Sequence, residues 1–259
     1  MPVTQAIASY FPATFELTVV ALFISTTLGI LLGTISALRS NELPDHAARI
    51  VSISTISVPS FWLGLILQFA FFFILKTHNL PYLPSSGRVS EQVALAHPLH
   101  VITGLYLLDS LLTGNWPFFV SALRHIILPA MTLALVTTGL KARVVRASIL
   151  EVLHSDLVTA ARARGVPQRV VIYRHVMRNA LIPIVTVVGL SFAYLLAGTV
   201  LVESVFSWNG MGEWAAQAIL NDDSAAVMGF TLFIAIIFVL INLFVDVAYT
   251  FIDPRIRYS

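Results

Sequence analysis

Charge is scarce in this chain. Of its 259 residues, 11% are charged and 58% hydrophobic, whereas soluble domains carry about 25% charged residues. Too few ionisable side chains exist to cover a water-facing exterior, which excludes an ordinary soluble globule and indicates membrane insertion. Cysteine is absent, so disulfides and thiolate metal sites are excluded. No GxxxxGK[ST] phosphate loop occurs, so the chain does not encode its own P-loop ATPase. The HExxH pattern of zinc proteases is missing too, and His97, His100 and His125 lack metal-ligand spacing. The first apolar stretch has no basic leader and is too long for a cleaved signal. No internal repeat or low-complexity tract is present.

What remains is long apolar runs. A bilayer core of about 30 Å needs roughly 20 apolar residues in a helix. Five stretches qualify, at 13–38, 50–75, 126–145, 184–202 and 225–252. They predict an all-α integral membrane protein with a single transmembrane domain over residues 1–259. Basic residues set its orientation. All of the 15 except Lys76, Arg88 and Arg124 fall on one side if the spans alternate. Arg39 and Arg49 bracket the first loop, and Lys141, Arg143, Arg146, Arg162, Arg164, Arg169, Arg174 and Arg178 run from the end of the third span through the segment between it and the fourth. Arg255 and Arg257 follow the fifth. The N-terminus is therefore expected outside and the C-terminus in the cytoplasm. On the outer side, 99–112 is apolar but too short to span, and is expected to form an interfacial or re-entrant helix around Asp109.

The cytoplasmic stretch 151–183 carries the most information. Ser155 or Asp156 can cap a helix, Gly165 can end it in the left-handed conformation, and Pro167 suits the first turn of the next. In that second helix Val166, Val170, Tyr173, Met177 and Ala180 fall on one stripe at 3.6-residue periodicity. A helix–turn–helix elbow is predicted at the membrane surface. Ala160, Ala161 and Ala163 give its first helix small side chains that let another protein approach. A plain alanine-rich basic loop explains the same residues. Nucleic-acid binding is disfavoured, because base-stacking aromatics are lacking.

Ala160-Ala161-x-x-x-Gly165, followed by Ile182-Pro183, resembles the EAA loop of importer-type ABC permeases, with Thr159 where the motif has Glu. The run from Arg143 through Arg146 and Glu151 to Gly165, and Arg178-Asn179-Ala180-Leu181-Ile182-Pro183, are similar to the oligopeptide/dipeptide/nickel branch of that family. So are Pro12-Ala-Thr-Phe-Glu-Leu-Thr18, Val58-Pro59-Ser60-Phe61-Trp62-Leu63-Gly64, Glu203-Ser-Val-Phe-Ser-Trp208-Asn-Gly210-Met-Gly212 and Asn242…Asp246…Asp253-Pro254-Arg255. The resemblance covers the whole chain, in the family's order. It implies a permease subunit that forms a path for peptides, nickel or oligosaccharides. The elbow would dock on a cytoplasmic ATPase through Asp156, Thr159, Ala160, Ala161, Arg162 and Gly165. Implied partners are a second homologous permease, two ATPase subunits holding ATP and magnesium, and an extracytoplasmic binding protein, in a prokaryotic inner membrane. No cofactor is implied for this chain itself. Such permeases usually carry one more helix before the Pro-Ala-Thr motif, so the resemblance leads one to expect six spans where five are read here.

Within this frame Pro59, Gln68, Glu203, Trp208, Gly210 and Gly212 are candidates for the pore or outer gate. Pro59 is expected to kink the second span, and Gln68 to face the pore or bond a neighbouring helix. Glu203 and 208–212 are expected at the outer mouth, against the gate or the binding protein. Gly29-Ile-Leu-Leu-Gly33 can permit close helix packing, although such pairs often arise by chance. Asp246, near a helix end, is read as a structural ion pair. A self-contained ion-coupled carrier is the competing class, but it would place ionisable groups or broken helices at the midplane, and no convincing set is present.

Overall fold

The computed structural model describes residues 2–252, without the side chains of Ile182, Asp246 and 248–252. Asp246 and the terminal Asp253-Pro254-Arg255 motif therefore lie outside the described residues. Among those described, no strand occurs. The order is α1 (Val3–Leu38), α2 (Leu43–Ser57), α3 (Ser60–Gln68), α4 (Leu75–Thr77), α5 (Glu91–Ala96), α6 (Tyr106–Leu112), α7 (Trp116–Leu153), α8 (Asp156–Ala163), α9 (Gln168–Val170), α10 (Met177–Phe206), α11 (Met211–Leu220) and α12 (Ser224–Ile252). One π-helical turn, Phe69–Ile74, joins α3 to α4, and another, Val171–Val176, joins α9 to α10. Five segments are long and apolar enough to cross a bilayer: Val3–Leu38, Ser60–Thr77, Trp116–Leu153, Pro183–Phe206 and Ser224–Val245. The all-α, five-span reading holds.

Three expectations are corrected. The stretch 50–75 is not one kinked helix, because α2 stops at Ser57 and α3 starts at Ser60 behind an extended Pro59 (φ −59°, ψ 135°). Proline forces the residue before it away from helical geometry and offers no N–H to the ladder, so the chain breaks there. The third span does not end near Val145, because α7 continues to Leu153. Hydropathy reports where the apolar run stops, and charged side chains at 141–146 do not stop a hydrogen-bonded helix. Finally, only Tyr106–Leu112 of 99–112 is helical. The preceding backbone wraps Asp109, whose carboxylate accepts N–H bonds from Ile102 (3.0 Å), Thr103 (3.0 Å) and Gly104 (2.9 Å) and an O–H bond from Thr103 (2.6 Å). Burial pushes this carboxyl up, but those bonds outweigh it and hold it below the usual carboxylate range.

The chain folds as two compact units, one of Met1–Ile24, Val58–Ala134 and Ala193–Phe238, the other of Ser25–Ser57, Leu135–Phe192 and Val239–Ser259. In the first unit, Leu17, Ile126, Leu133, Leu195, Phe206 and Trp208 form the core. Gln68 is fixed here: its amide donates to the carbonyls of Ser85 (2.7 Å) and Val205 (3.1 Å). Of the two expectations for Gln68, the bond to a neighbouring element is the one observed.

In the second unit, Val145, Ile149, Val158, Val171, Val176 and Ile184 pack together with Ala161. The Gly29/Gly33 pair is used. A Cβ on Gly29 would lie 2.6 Å from Cβ of Lys141, and one on Gly33 2.6 Å from Cβ of Val145, so α1 and α7 touch at backbone distance. Lys141, counted above among the basic residues that set the orientation, is buried in this contact, where its ammonium donates to Ser25 (2.7 Å) and Thr137 (3.1 Å) hydroxyls. One turn on, Arg146 grips Asp45 with two bonds of 2.8 and 2.9 Å. Asp45 also accepts from the Ser36 hydroxyl (2.5 Å) and the Asn41 N–H (2.8 Å), tying α1, the 39–42 turn, α2 and α7 together. The Arg146 bonds, opposed by burial and helped by Ser36 and Asn41, hold the Asp45 carboxyl well below the usual range.

Candidate functional sites: a surface elbow and a buried hub

The elbow belongs to the second unit. Helix α8 begins after Ser155 in extended conformation, yet the Ser155 hydroxyl bonds back to Val152 (2.6 Å) and makes no cap bond to α8. The end of α8 follows the expected chemistry. Gly165 has φ +74°, its N–H donates to Arg162 O (2.9 Å), and the Val166 N–H donates to Ala161 O (3.2 Å). These paired bonds form a Schellman stop, and Val166 and Ala161 both join the core behind it. A Cβ on Gly165 would meet nothing within 4 Å. Glycine serves here for its backbone conformation, not for a close contact within the chain.

The elbow has two faces. Val158 and Ala161, three residues apart, are buried. Asp156, Thr159, Ala160, Arg162 and Gly165 are exposed, as is Leu157 at 46%. The structure thus gathers five of the six docking candidates on the outside of one short helix and its stop, and places Ala161 beneath as the anchor. The stripe expected in the second helix is met at Val166, Met177 and Ala180, which lie in or against the core, and is corrected at Val170 and Tyr173. Tyr173 is 76% exposed, and the buried residues are Val171, Val176, Ala180 and Ile184. The step of five between Val171 and Val176 crosses the π turn, after which the spacing of four resumes. A π turn adds one residue to a helical turn and shifts the face by that amount.

The hub belongs to the first unit and joins two of the quoted motifs across some 190 residues of sequence (|i−j| = 189 for the first bond). The Thr14 hydroxyl donates to Glu203 Oε1 (2.7 Å) and accepts from the Met211 N–H (2.8 Å). Glu203 Oε2 accepts from the Glu213 N–H (3.0 Å), so the carboxylate sits at the N-terminus of α11, where unpaired N–H groups favour an anion. The Trp208 indole N–H donates to Ala13 O (2.9 Å). Gly210 and Gly212 are required by this packing. A Cβ on Gly210 would lie 2.5 Å from both Glu203 Oε2 and Thr14 Oγ1, and one on Gly212 2.7 Å from Val200 Cα. Glu203 (0% exposed) and Trp208 (1%) therefore engage the interior. Pro59 forms the helix break described above and takes no part in this cluster.

Beside the hub, Glu16 of the Pro-Ala-Thr motif pairs with Arg88 (2.8 Å) and accepts the Leu107 N–H (2.6 Å). The Arg88 guanidinium lies 3.6 Å from the centroid of the Tyr106 ring. Sequence reading passed over Arg88, Asp45 and Lys141 as functional or structural centres. Glu16 and Arg88 are local in no window, so spacing carries no signal for them. Asp45 had one: an acid in a short turn flanked by Arg39 and Arg49.

Five helices long and apolar enough to span a membrane, with a surface elbow of small residues, fit the class of transport permeases. The profile of the binding-protein-dependent transport system inner membrane component matches residues 29–258, and the chain belongs to that family. Similar curated proteins include the probable D,D-dipeptide transport system permease protein DdpB of Escherichia coli (strain K12), 46% identical over 98% of this chain and 73% of the relative. Another is the dipeptide transport system permease protein DppB of Alkalihalophilus pseudofirmus, 39% identical over 99% of this chain and 74% of the relative. Among solved structures, an inward-facing form of the MetNI methionine ABC transporter superposes with a TM-score of 0.63 at 16% identity, covering 93% of each chain. An amino acid ABC transporter solved with histidines gives 0.61 at 15%, covering 98% of this chain and 95% of the other. At those identities the two structures establish the shared fold.

Proposed function

We propose that this chain is the permease subunit of a peptide importer, driven through its elbow by separate cytoplasmic ATPase subunits. The observation that carries the reading is α8: anchored by Val158 and Ala161, stopped at Gly165, and presenting Asp156, Leu157, Thr159, Ala160 and Arg162 outward. A short helix with a buried inner face transmits a push, and a small-residue outer face lets a partner's groove close around it. Nucleotide bound to a partner shifts an inward/outward equilibrium only if the partner holds the two states differently, and a rigid elbow is the physical link for that difference. Peptides are the substrate class supported by the names of the relatives, which are dipeptide and D,D-dipeptide permeases. On this reading the elbow faces the cytoplasm and the N-terminus of the chain lies outside. A second permease completes the path, a binding protein delivers the peptide, and ATP with magnesium resides on the ATPases.

The test is co-expression with the cognate ATPases and reconstitution into liposomes. Peptide uptake should require the ATPases and ATP. Gly165→Val should abolish uptake and uncouple hydrolysis while the membrane assembly survives. Uptake by this chain alone, or unchanged uptake with Gly165→Val, overturns the assignment.

A further inference from the structure

Beside the Asp45–Arg146 pair, within the second unit, lies a cavity of about 330 Å³. Leu32, Ile53 and Ala142 make its apolar wall, and Arg49, Arg143 and Arg146 line it as well. The charges do not balance. Arg146 is committed to Asp45 by two bonds, and Arg49 reaches the same carboxylate only at 3.4 Å while touching His46 Nδ1 at 3.0 Å. Arg143 is exposed and has no ion-pair partner among the described residues. Three guanidiniums thus line the cleft, and the one carboxylate bonded among them, Asp45, is shared by Arg146 and Arg49 alone.

The depth of the cleft matters. Ser36 and Ala48, which also line it, lie within about two turns of the 39–42 turn where α1 gives way to α2. A spanning helix leaves the hydrocarbon near the polar turn that ends it, so on the five-span reading the cleft lies toward the membrane surface. From the cleft, exposed apolar side chains run along both helices: Leu31 (53%) and Ile35 on α1, Ile50 (66%), Ile53 and Ile56 on α2. A ligand matching the whole feature carries an anion at one end and long apolar chains at the other.

We propose that this cleft is a binding site for one anionic phospholipid. Its phosphate engages Arg49 and Arg143, and an acyl chain lies along Leu32 and Ile53. Arg146, held by Asp45, lines the cleft without meeting the headgroup. A zwitterionic lipid brings its own cation to the guanidiniums and fits less well. Basic pockets between spanning helices bind anionic headgroups by this charge complementarity. The site is independent of which substrate the protein moves, and its test uses no transport readout.

The experiment is native mass spectrometry of the full-length chain titrated with phosphatidylglycerol or phosphatidylcholine. The wild type should retain phosphatidylglycerol in preference. Two guanidiniums near a headgroup contribute enough that R49Q/R143Q should weaken phosphatidylglycerol roughly 30-fold, with phosphatidylcholine unchanged and R49K/R143K keeping most of the preference. Should the double variant fail to fold, R143Q alone decides, because that side chain is exposed and has no ion-pair partner among the described residues. An undiminished preference in R143Q overturns the proposal. So does displacement of the lipid by inorganic phosphate, which would make this a free-anion site. A cysteine at Ile53 that crosslinks efficiently to a second copy of the chain would make the cleft a protein interface and overturn it as well.

Discussion

The elbow at 156–166 and the hub around Glu203 are both built from segments that resemble family motifs, yet they use their residues in opposite ways. In the hub, the quoted residues satisfy one another: Thr14, Glu203, Trp208 and the backbone of 211–213 form a closed hydrogen-bonded set with no outward face. In the elbow, nearly every quoted residue is turned outward, and Val158, Ala161 and Val166 hold it to the core. A motif in a membrane chain thus has two physical meanings. One preserves an internal junction, and the other keeps a surface available for something outside the chain. Burial tells them apart, and sequence does not.

Substitutions sharpen that contrast. The largest effect is expected at the hub glycines. Gly210→Val must displace the Glu203 carboxylate and the Thr14 hydroxyl together, an overpacking cost of about 3 kcal/mol or more, and should leave little folded protein by size-exclusion chromatography from detergent. Glu203→Ala removes the acceptor for Thr14 and the Glu213 N–H. It should cost about 3 kcal/mol, read as a lower melting temperature in micelles, with Glu203→Gln milder.

A smaller effect is expected at Asp45, where Asp45→Asn should lower the melting temperature by roughly 5 °C. The sign of its pH dependence follows from its depressed folded-state pKa. The contribution is fully present above the unfolded value near 4 and is lost as pH falls through the lower folded value. Wild-type stability should therefore show no Asp45 component between pH 8 and 5, and a loss below about 4 that Asp45→Asn lacks. Least damaging to the fold is Leu157→Ala in the elbow, within about 0.5 kcal/mol, although ATPase co-purification should fall. If Leu157→Ala destabilises the isolated chain as much as Glu203→Ala does, the distinction between the two regions fails.

Much of this architecture is legible in the sequence. Five apolar runs announce the spans, Gly165 announces the α8 stop, and Gly29 with Gly33 marks the close approach of α1. The rest is hidden for identifiable reasons. Thr14 and Glu203 meet through the tertiary fold, and no local pattern encodes a partner so distant in the chain. Lys141 reads as one more basic residue because hydropathy cannot see two hydroxyls waiting inside α1 and α7. Pro59 signals a disturbance, but a break and a kink share the same residue. The turn at Val171–Val176 has no signature at all, since its side chains are ordinary helix and strand formers.

That turn also fixes a phase. Each residue of an α-helix advances the side-chain direction by about 100°, so the extra residue held at Val171–Val176 sets the rotation of everything after it in α10. Val176, Ala180 and Ile184 point into the core only because of that offset. Gly189 likewise presents its bare α-carbon to Val245, in a space too tight for any Cβ. Deleting a single residue between 171 and 176 would keep the composition, the hydropathy and the helix, and would still turn the wrong side of α10 toward α12. For this stretch of chain, length is structural information in its own right, as binding as the identity of any residue it contains.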